Sequence, residues 1–467
     1  MRATTLTALL FAAFAAAWAL LQAPSDSDLF WQLSSGEWTL DHGQILDHDI
    51  WSFTRDGTAY SVGAWLGQVA LALGYRAGGW VGIDVLRAVC VGVAAFFVAR
   101  ITLRVQPHTG WAALPILGTV LVSRMVWGDR PQLFTLALFP LVLDVLFSAR
   151  LEGRVRRLVV LPPVFLLWAN LHNAFVIGLV ACGVFVIEAW LARDPTRRAL
   201  TIALVASAVA SQINPSGVGS LTRAAGYAGA LPDWIVEERA LDILTGHGLV
   251  FAVLLLAALT AALIRGREGI ASRLGASLLW PGLIIPFALL ALAIQRDTPY
   301  ACMVLAPFVA AMVPDAMGRV RVSETLRVPG IAGAGVITLL AVALGATAAL
   351  AAPREADLSS YPSGALPALG GVNGNVLNEY DWGGYLIRYA PEHRTFIDGR
   401  GGVLFTRDVI DDFGRAVALL PGYRDVLARR DIAAVLLRPD RPLVAALRED
   451  GWRVVASDTT FVLLAKR

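Results

Sequence analysis

The chain has 467 residues, of which 57% are hydrophobic and only 16% charged, and its mean hydropathy is +0.62. That balance excludes a string of ordinary soluble domains and points to a polytopic α-helical membrane protein. The formal net charge is +3 and Lys466 is the only lysine, so no nucleic-acid partner is expected and the informative quantity is where the arginines fall.

The first apolar run, Thr4 to Ala23, follows Arg2 and contains Ala17-Trp18-Ala19, a small-x-small sequence that also suits a secretion-signal cleavage site. The run continues through Leu20 and Leu21, so an uncleaved anchor helix is expected. Directly after it stand Asp26-Ser27-Asp28-Leu29-Phe30-Trp31-Gln32. Carboxylates at the end of a span mark substrate or ion sites more often than random surface acids do. The plainer alternative is a solvated loop.

Further runs long enough to cross a ~30 Å hydrocarbon layer are Val81 to Ala99, Trp111 to Val126, Leu133 to Phe147, Leu158 to Leu171, Ala174 to Leu191, Ala199 to Ile213, Leu249 to Ile264, Ala276 to Ile294, Pro299 to Val313 and Ile331 to Ala351, about eleven spans in all. Pro162-Pro163 predicts a kink or an interfacial start in the Leu158 to Leu171 run. Ala64 to Ala77 carries Gln68 and Arg76 and ends in Gly78-Gly79, which fits either a span or a helix lying in the membrane surface. Cys90, Cys182 and Cys302 lie within apolar runs and read as small buried hydrophobes, with no disulfide or metal cluster expected.

Parity settles the topology. With Ala64 to Ala77 at the surface and the N-terminus in the cytoplasm, the inner connections receive Arg100 and Arg104, then Arg150, Arg154, Arg156 and Arg157, then Arg193, Arg197 and Arg198, then Arg265, Arg267 and Arg273, and last Arg319, Arg321 and Arg327. The outer ends then collect Asp26 and Asp28, Asp129-Arg130-Pro131-Gln132, Asn170-Leu171-His172-Asn173, Gln212-Ile213-Asn214-Pro215 and Gln295-Arg296-Asp297. Carboxylates, amides, a histidine and two arginines gathered at one membrane face predict a site there.

This gives a membrane domain over residues 1–352, with a Trp-rich first outer loop at 24–61 and a second long outer loop at 216–246. The second loop contains Pro232-Asp233-Trp234 and Glu237-Glu238-Arg239 and suits a cover or lid. Residues 353–467 change in composition and read as a soluble α/β domain outside the membrane. Its predicted strands are Asn375 to Leu377, Arg394 to Ile397, Ala433 to Leu437, and a closing pair at Arg453 to Ala456 and Phe461 to Leu464. Helices are predicted through Gly383-Gly384-Tyr385 and over Val409 to Leu420, Tyr423 to Arg430 and Leu443 to Glu449.

The Asp26-x-Asp28 pair is suited to deprotonating a hydroxyl, or to coordinating a divalent cation such as Mg or Mn. Arg130 and Arg296, with Gln132, are candidates for holding a phosphate, against the alternative of snorkelling anchors for the arginines. His172, Asn173 and Trp31 are candidate substrate contacts, with a capping or structural histidine as the alternative reading. In the outer domain, Trp382 and Tyr385 in Asp381-Trp382-Gly383-Gly384-Tyr385, and Asp398 and Arg400 in Asp398-Gly399-Arg400, suit sugar binding or docking, although turns and a helix start explain much of both patterns.

Asp26-x-Asp28 after the first span, the Trp-rich loop, Arg130-Pro131-Gln132, Trp168-Ala169-Asn170-Leu171-His172 and Asn214-Pro215 together resemble the membrane glycosyltransferases of the GT-C superfamily, in particular a bacterial branch whose C-terminal outer domain carries Trp-Gly-Gly-Tyr and Asp-Gly-Arg patterns. The resemblance covers most of the chain. It implies transfer of a sugar from a polyprenyl-phosphate-linked donor to a glycan, lipid or protein acceptor on the outer face of a bacterial inner membrane. It also implies that Asp26 occupies the usual position of the catalytic acid, with Ser27 standing where a second carboxylate is common, so either Asp26 or Asp28 is the base. Two other readings compete: a transporter or lipid-carrier flippase, and a non-catalytic envelope-assembly scaffold. One-sided clustering of the polar residues and the lack of an internal repeat weigh against the transporter.

Overall fold

The computed structural model describes residues 2–221, 238–317, 343 and 355–467. Its principal helices are α1 (Arg2–Ala19), α2 (Ser27–His42), α3 (Trp65–Val105), α4 (Thr109–Ser123), α5 (Gln132–Glu152), α6 (Leu161–Leu171), α7 (Phe175–Leu191), α8 (Arg197–Ala210), α9 (Gly246–Leu274), α10 (Leu279–Ala293), α11 (Thr298–Met317), α12 (Gly383–Tyr389), α13 (Arg407–Val417), α14 (Tyr423–Arg429) and α15 (Pro442–Glu449). Four strands, β1 (Asn375–Asn378), β2 (Ile432–Leu437), β3 (Arg453–Ser457) and β4 (Val462–Ala465), form one sheet.

The chain divides into two compact units: Met1–Gln22 with Asp84–Pro353, and Ala23–Ile83 with Arg354–Arg467. Residues 24–61, the predicted first outer loop, therefore group with the C-terminal residues, a different division from a boundary at residues 352 and 353. Helix α3 contributes to both units. It breaks at Gly78 and Gly79, and Gly79 has φ +59, a conformation that side chains with a Cβ rarely adopt.

The first unit is a helical bundle of a multi-pass membrane protein. Among the described residues, the stretches long and apolar enough to cross a membrane are Trp65–Val105, Thr109–Val126, Gln132–Glu152, Gly246–Leu274 and Gln295–Met317. Shorter apolar helices are Thr4–Ala19, Phe175–Leu191 and Leu279–Ala293. The run Leu158 to Leu171 yields only the 11-residue α6, because prolines occupy its first turn and a 3₁₀ stretch, Val155–Val160, precedes it. The predicted span Ile331 to Ala351 lies outside the described residues.

Apolar side chains point outward as well as inward, with Leu114, Ile202, Val209 and Leu263 exposed, as expected of a bundle solvated by lipid. Inside, the Trp280 ring packs against Phe147 and Phe308 at centroid distances of 5.2 and 5.7 Å, and Phe139 packs against Phe287 and Tyr300. Several arginines of the predicted inner connections meet buried acids. Asp144, within α5, accepts from Arg104 at 2.8 Å and from Arg157 at 3.1 Å, and Arg100 stands 3.3 Å away. Arg150 pairs with Glu188 and Asp194, each at 2.7 Å. Replacing Asp144 with Ala leaves Arg100, Arg104 and Arg157 without the fully buried carboxylate they share, with Arg104 keeping Glu152 at 2.9 Å. The expected result is a loss of about 3 kcal/mol or more, read as a lower Tm of the detergent-solubilised protein.

In the second unit the sheet order is β1-β2-β4-β3, with β1 parallel to β2 and the other pairings antiparallel. The crossover from β1 to β2 carries α12, α13 and α14, as a parallel pair requires. The predicted strand Arg394 to Ile397 is not part of this sheet. Thr395 instead bridges to Ser52 of the first loop: the Thr395 amide donates to the Trp51 carbonyl at 2.9 Å and the Phe53 amide to the Thr395 carbonyl at 3.1 Å. The first arm of α3 lies on α2, where Ser35 Oγ donates to Gln68 Oε1 at 2.9 Å and Arg76 reaches Asp41 at 2.5 Å. Both polar residues of the ambiguous Ala64 to Ala77 segment are thus used within this unit.

Candidate active site

The acid pair is built by the start of α2. Asp26 is its N-cap: the Oδ1 atom accepts from the Asp28 amide at 2.9 Å, the usual way a carboxylate satisfies the open end of a helix. Asp28 lies in the first turn, and its Oδ1 accepts from Trp31 Nε1 at 3.1 Å. Both acids are half-buried, while Leu29 and Phe30 beside them are fully buried.

The two C-terminal motifs are the floor on which this turn rests. Gly399 sits against the Asp28 carboxylate so closely that a Cβ there would fall 1.8 Å from Oδ1 and 2.9 Å from Trp31 Nε1. A Cβ on Gly384 would stand 2.6 Å from the Ser27 carbonyl oxygen. Gly384 and Gly399 are therefore contact points for the acid turn, while Gly383 packs against Ile397 and Asp398. Gly399→Ala is expected to cost about 1–3 kcal/mol through this overlap. A lower Tm of the purified protein, relative to Gly414→Ala, where a Cβ meets nothing within 4 Å, is the check.

The remaining motif residues are interior. Trp382 is buried and donates from Nε1 to the Ser360 carbonyl at 3.0 Å. Tyr385 stacks on Tyr361 at 5.1 Å and meets Phe30 edge-on at 5.7 Å. Arg400 is buried among Trp51, Tyr60 and Phe405 and ion-paired to Asp398 at 2.6 Å and to Asp49 at 2.5 Å. Its carboxylate partners hold its guanidinium charged, and burial pushes the Tyr60 phenol up to about 12.

Tyr361, which no sequence signal marked, donates its hydroxyl to the Ser25 carbonyl at 2.9 Å, just ahead of the pair. Burial, then the charges of Asp26, Asp381, Asp28 and Asp357, push that phenol well above its ordinary range, so it remains a proton donor at any physiological pH.

The bundle supplies a separate group of residues. Arg87, missed in the sequence although it lies in the Val81 to Ala99 run, binds Asp129 through Nη1 at 2.6 and 2.7 Å and pairs through Nη2 with Asp84. It also donates to the carbonyls of Ala19 and Gln22, capping the end of α1. An arginine with an acid three residues earlier in an apolar run was the available signal. Asp129 thereby serves the fold, next to Arg130.

Gln132 opens α5 and is buried, and Asn173 is exposed. Arg296 is ion-paired with Glu238, at the described end of the predicted second outer loop; Pro232-Asp233-Trp234 and Glu237 lie outside the described residues. His172 closes α6, its Nδ1 2.8 Å from Thr135 Oγ1. Burial, then the charges of Arg296 and Arg130, push this imidazole down to about 3. The sign is that of a base whose proton is disfavoured by folding: His172 is neutral at pH 7 and remains so through pH 5, so it does not titrate in the working range.

Arg130 and Arg296 thus each lie within electrostatic reach of the neutral His172 imidazole, while Arg296 is also paired with Glu238. Such a group suits a phosphate oxygen. Among the described residues no three His, Cys, Asp or Glu side chains are placed to hold a metal ion.

No family model and no curated protein sequence matches the chain. Solved structures do. ArnT from Cupriavidus metallidurans bound to undecaprenyl phosphate matches over 98% of this chain and 96% of its own, with a TM-score of 0.50 at 14% identity. An oligosaccharyltransferase from Archaeoglobus fulgidus tethered with an acceptor peptide matches over 92% of this chain and 68% of its own, with a TM-score of 0.57 at 13% identity. The same oligosaccharyltransferase in complex with Zn and sulfate gives a TM-score of 0.53 at 13% identity, over 92% and 68% of the two chains. At these identities the likeness to each of these structures is one of fold alone.

Proposed function

We propose that this chain, built on the GT-C fold, is a membrane glycosyltransferase. It moves a sugar from a polyprenyl-phosphate-linked donor to a glycan, lipid or protein acceptor at the outer face of a bacterial inner membrane. Its N-terminus is cytoplasmic and its C-terminal domain extracytoplasmic. The observation that carries this reading is the match, over nearly the full length of both chains, to a structure solved with undecaprenyl phosphate.

The chemistry assigned to the residues is an inverting displacement. Asp26 takes the proton of the acceptor hydroxyl, whose oxygen forms the new bond to the anomeric carbon. The bond from that carbon to the phosphate oxygen breaks, and its electron pair leaves with the phosphate. Asp28 is a positioning residue, held by Trp31 and by the close approach of Gly399. Arg130 and Arg296, with Gln132, hold the phosphate as charge develops on it, so charge stabilisation rather than an acid assists departure. His172, Asn173 and Trp31 are the proposed substrate contacts. No step is assigned to a bound cation.

The experiment is turnover of the purified protein with a panel of polyprenyl-phosphate sugars and a membrane-extract acceptor. Sugar appearing on acceptor with equimolar free polyprenyl phosphate is expected. Binding of the panel without release of lipid phosphate would overturn the assignment.

A further inference from the structure

The residues around His172 specify which of its nitrogens carries the proton. Trp168, one turn before the end of α6, is fixed in place by its neighbours: its ring stacks on Phe165 at 5.6 Å and lies flat against Gly178 of α7, where a Cβ would come 2.5 Å from ring carbon Cζ3. The indole N–H is a donor only. It donates to Thr135 Oγ1 at 2.8 Å, in a fully buried contact.

The Thr135 hydroxyl is also 2.8 Å from His172 Nδ1, and the Ala174 amide points at the same nitrogen from 3.4 Å. An amide N–H can only donate, so Nδ1 is an acceptor. Thr135, accepting from Trp168, then gives its own proton to Nδ1. This leaves the hydrogen on Nε2, the opposite side of the ring, in a neutral imidazole. A neutral N–H donor within electrostatic reach of two guanidinium groups complements an anion without adding a third positive charge.

We propose that Trp168 and Thr135 are positioning residues that hold His172 as the neutral Nε2–H tautomer, which donates a hydrogen bond to a phosphate oxygen held by Arg130 and Arg296. The inference rests on the phosphate-binding role given to those arginines and adds the relay that prepares the third donor. The three relay residues sit on α5, α6 and the connection to α7, so packing of Trp168 onto Gly178 is coupled to the protonation pattern of a residue two hydrogen bonds away.

Two measurements test it. Solid-state ¹⁵N NMR of the full-length protein labelled at histidine, with the His172 signals assigned by their loss in His172→Gln, reads the tautomer directly. At pH 7 the wild type is expected to show an unprotonated Nδ1 and a protonated Nε2. Thr135→Ser keeps this pattern, and Thr135→Val, which leaves only the long 3.4 Å contact from the Ala174 amide on Nδ1, loses it to a mixture containing Nδ1–H. A wild-type Nδ1–H tautomer, or an unchanged pattern in Thr135→Val, overturns the relay.

The second measurement is binding of undecaprenyl phosphate to the protein in detergent, with inorganic phosphate as competitor. Thr135→Val is expected to weaken binding about tenfold and Thr135→Ser by no more than about twofold, the scale of one charge-assisted hydrogen bond. Competition by inorganic phosphate places the recognition in the phosphate group, and its failure together with lipid binding overturns His172 as a phosphate donor. If the wild type binds neither probe, the phosphate role falls along with the reading beneath it. If wild type and Thr135→Val bind equally, the relay alone is wrong.

Discussion

Asp26→Asn is expected to lower the rate of sugar transfer by about 10²–10⁴-fold, the usual contribution of a positioned general base, while leaving the fold intact. The substitution is informative because Asn is as good an N-cap as Asp. The bond from the Asp28 amide to the side-chain oxygen of residue 26, 2.9 Å in the native chain, survives it. Loss of activity at unchanged Tm therefore reports on the proton acceptor. Asp26→Ala removes the cap as well and is expected to cost about 1 kcal/mol in stability, so the pair of variants separates the two duties of one residue. Asp28→Asn keeps an acceptor for Trp31 Nε1 and should lower the rate less than Asp26→Asn does. The check is initial rate of lipid-phosphate release alongside thermal denaturation, and equal losses in the two Asn variants would reassign the base.

Arg400→Met is expected to be the most destabilising single change in the second unit. It strands two buried carboxylates, Asp49 and Asp398, from which the guanidinium stands 2.5 and 2.6 Å away. Removing one partner of such a group typically costs about 3–5 kcal/mol, far more than the pair contributes net. For a unit of this size the matching fall in Tm is roughly 10 °C. Asp49 and Arg400 are 351 positions apart in sequence, so the contact also ties the first loop to the C-terminal residues. Limited proteolysis should accordingly cut the first loop of Arg400→Met sooner than that of the wild type. Retention of both the native Tm and protease resistance would show that the aromatic cage of Trp51, Tyr60 and Phe405 alone secures the loop.

The sequence made the helical membrane character legible because a run of twenty apolar residues admits few other structures. It also located β1, β2 and the closing strand pair, whose β-branched and apolar residues alternate with turn signals. Arg394 to Ile397 was misread as a sheet strand because its extended backbone is real but its partner, Ser52, is hundreds of positions away. The same distance hid the purpose of the Trp-Gly-Gly-Tyr and Asp-Gly-Arg patterns. Gly384 and Gly399 are explained by Ser27, Asp28 and Trp31, and Gly383 by Ile397 and Asp398, which no local pattern relates to them. Arg87 was visible as a charge in an apolar run, yet only the fold shows it joining Asp84 and Asp129. Thr135 carried no signal at all, since a threonine in an apolar helix acquires meaning only from the indole and imidazole placed against it.

Proteoliposomes loaded with a radiolabelled polyprenyl-phosphate sugar provide the most direct test of the central claim, because transfer and mere translocation of the donor leave different products. The protein is reconstituted, acceptor is supplied on the side of the C-terminal domain, and free polyprenyl phosphate and labelled acceptor are measured over time for wild type and Asp26→Asn. The account predicts that the wild type releases one lipid phosphate for each sugar transferred and that Asp26→Asn, inserted equally well, releases almost none. Donor that crosses the bilayer with its sugar still attached, at the same rate in both proteins, would contradict it.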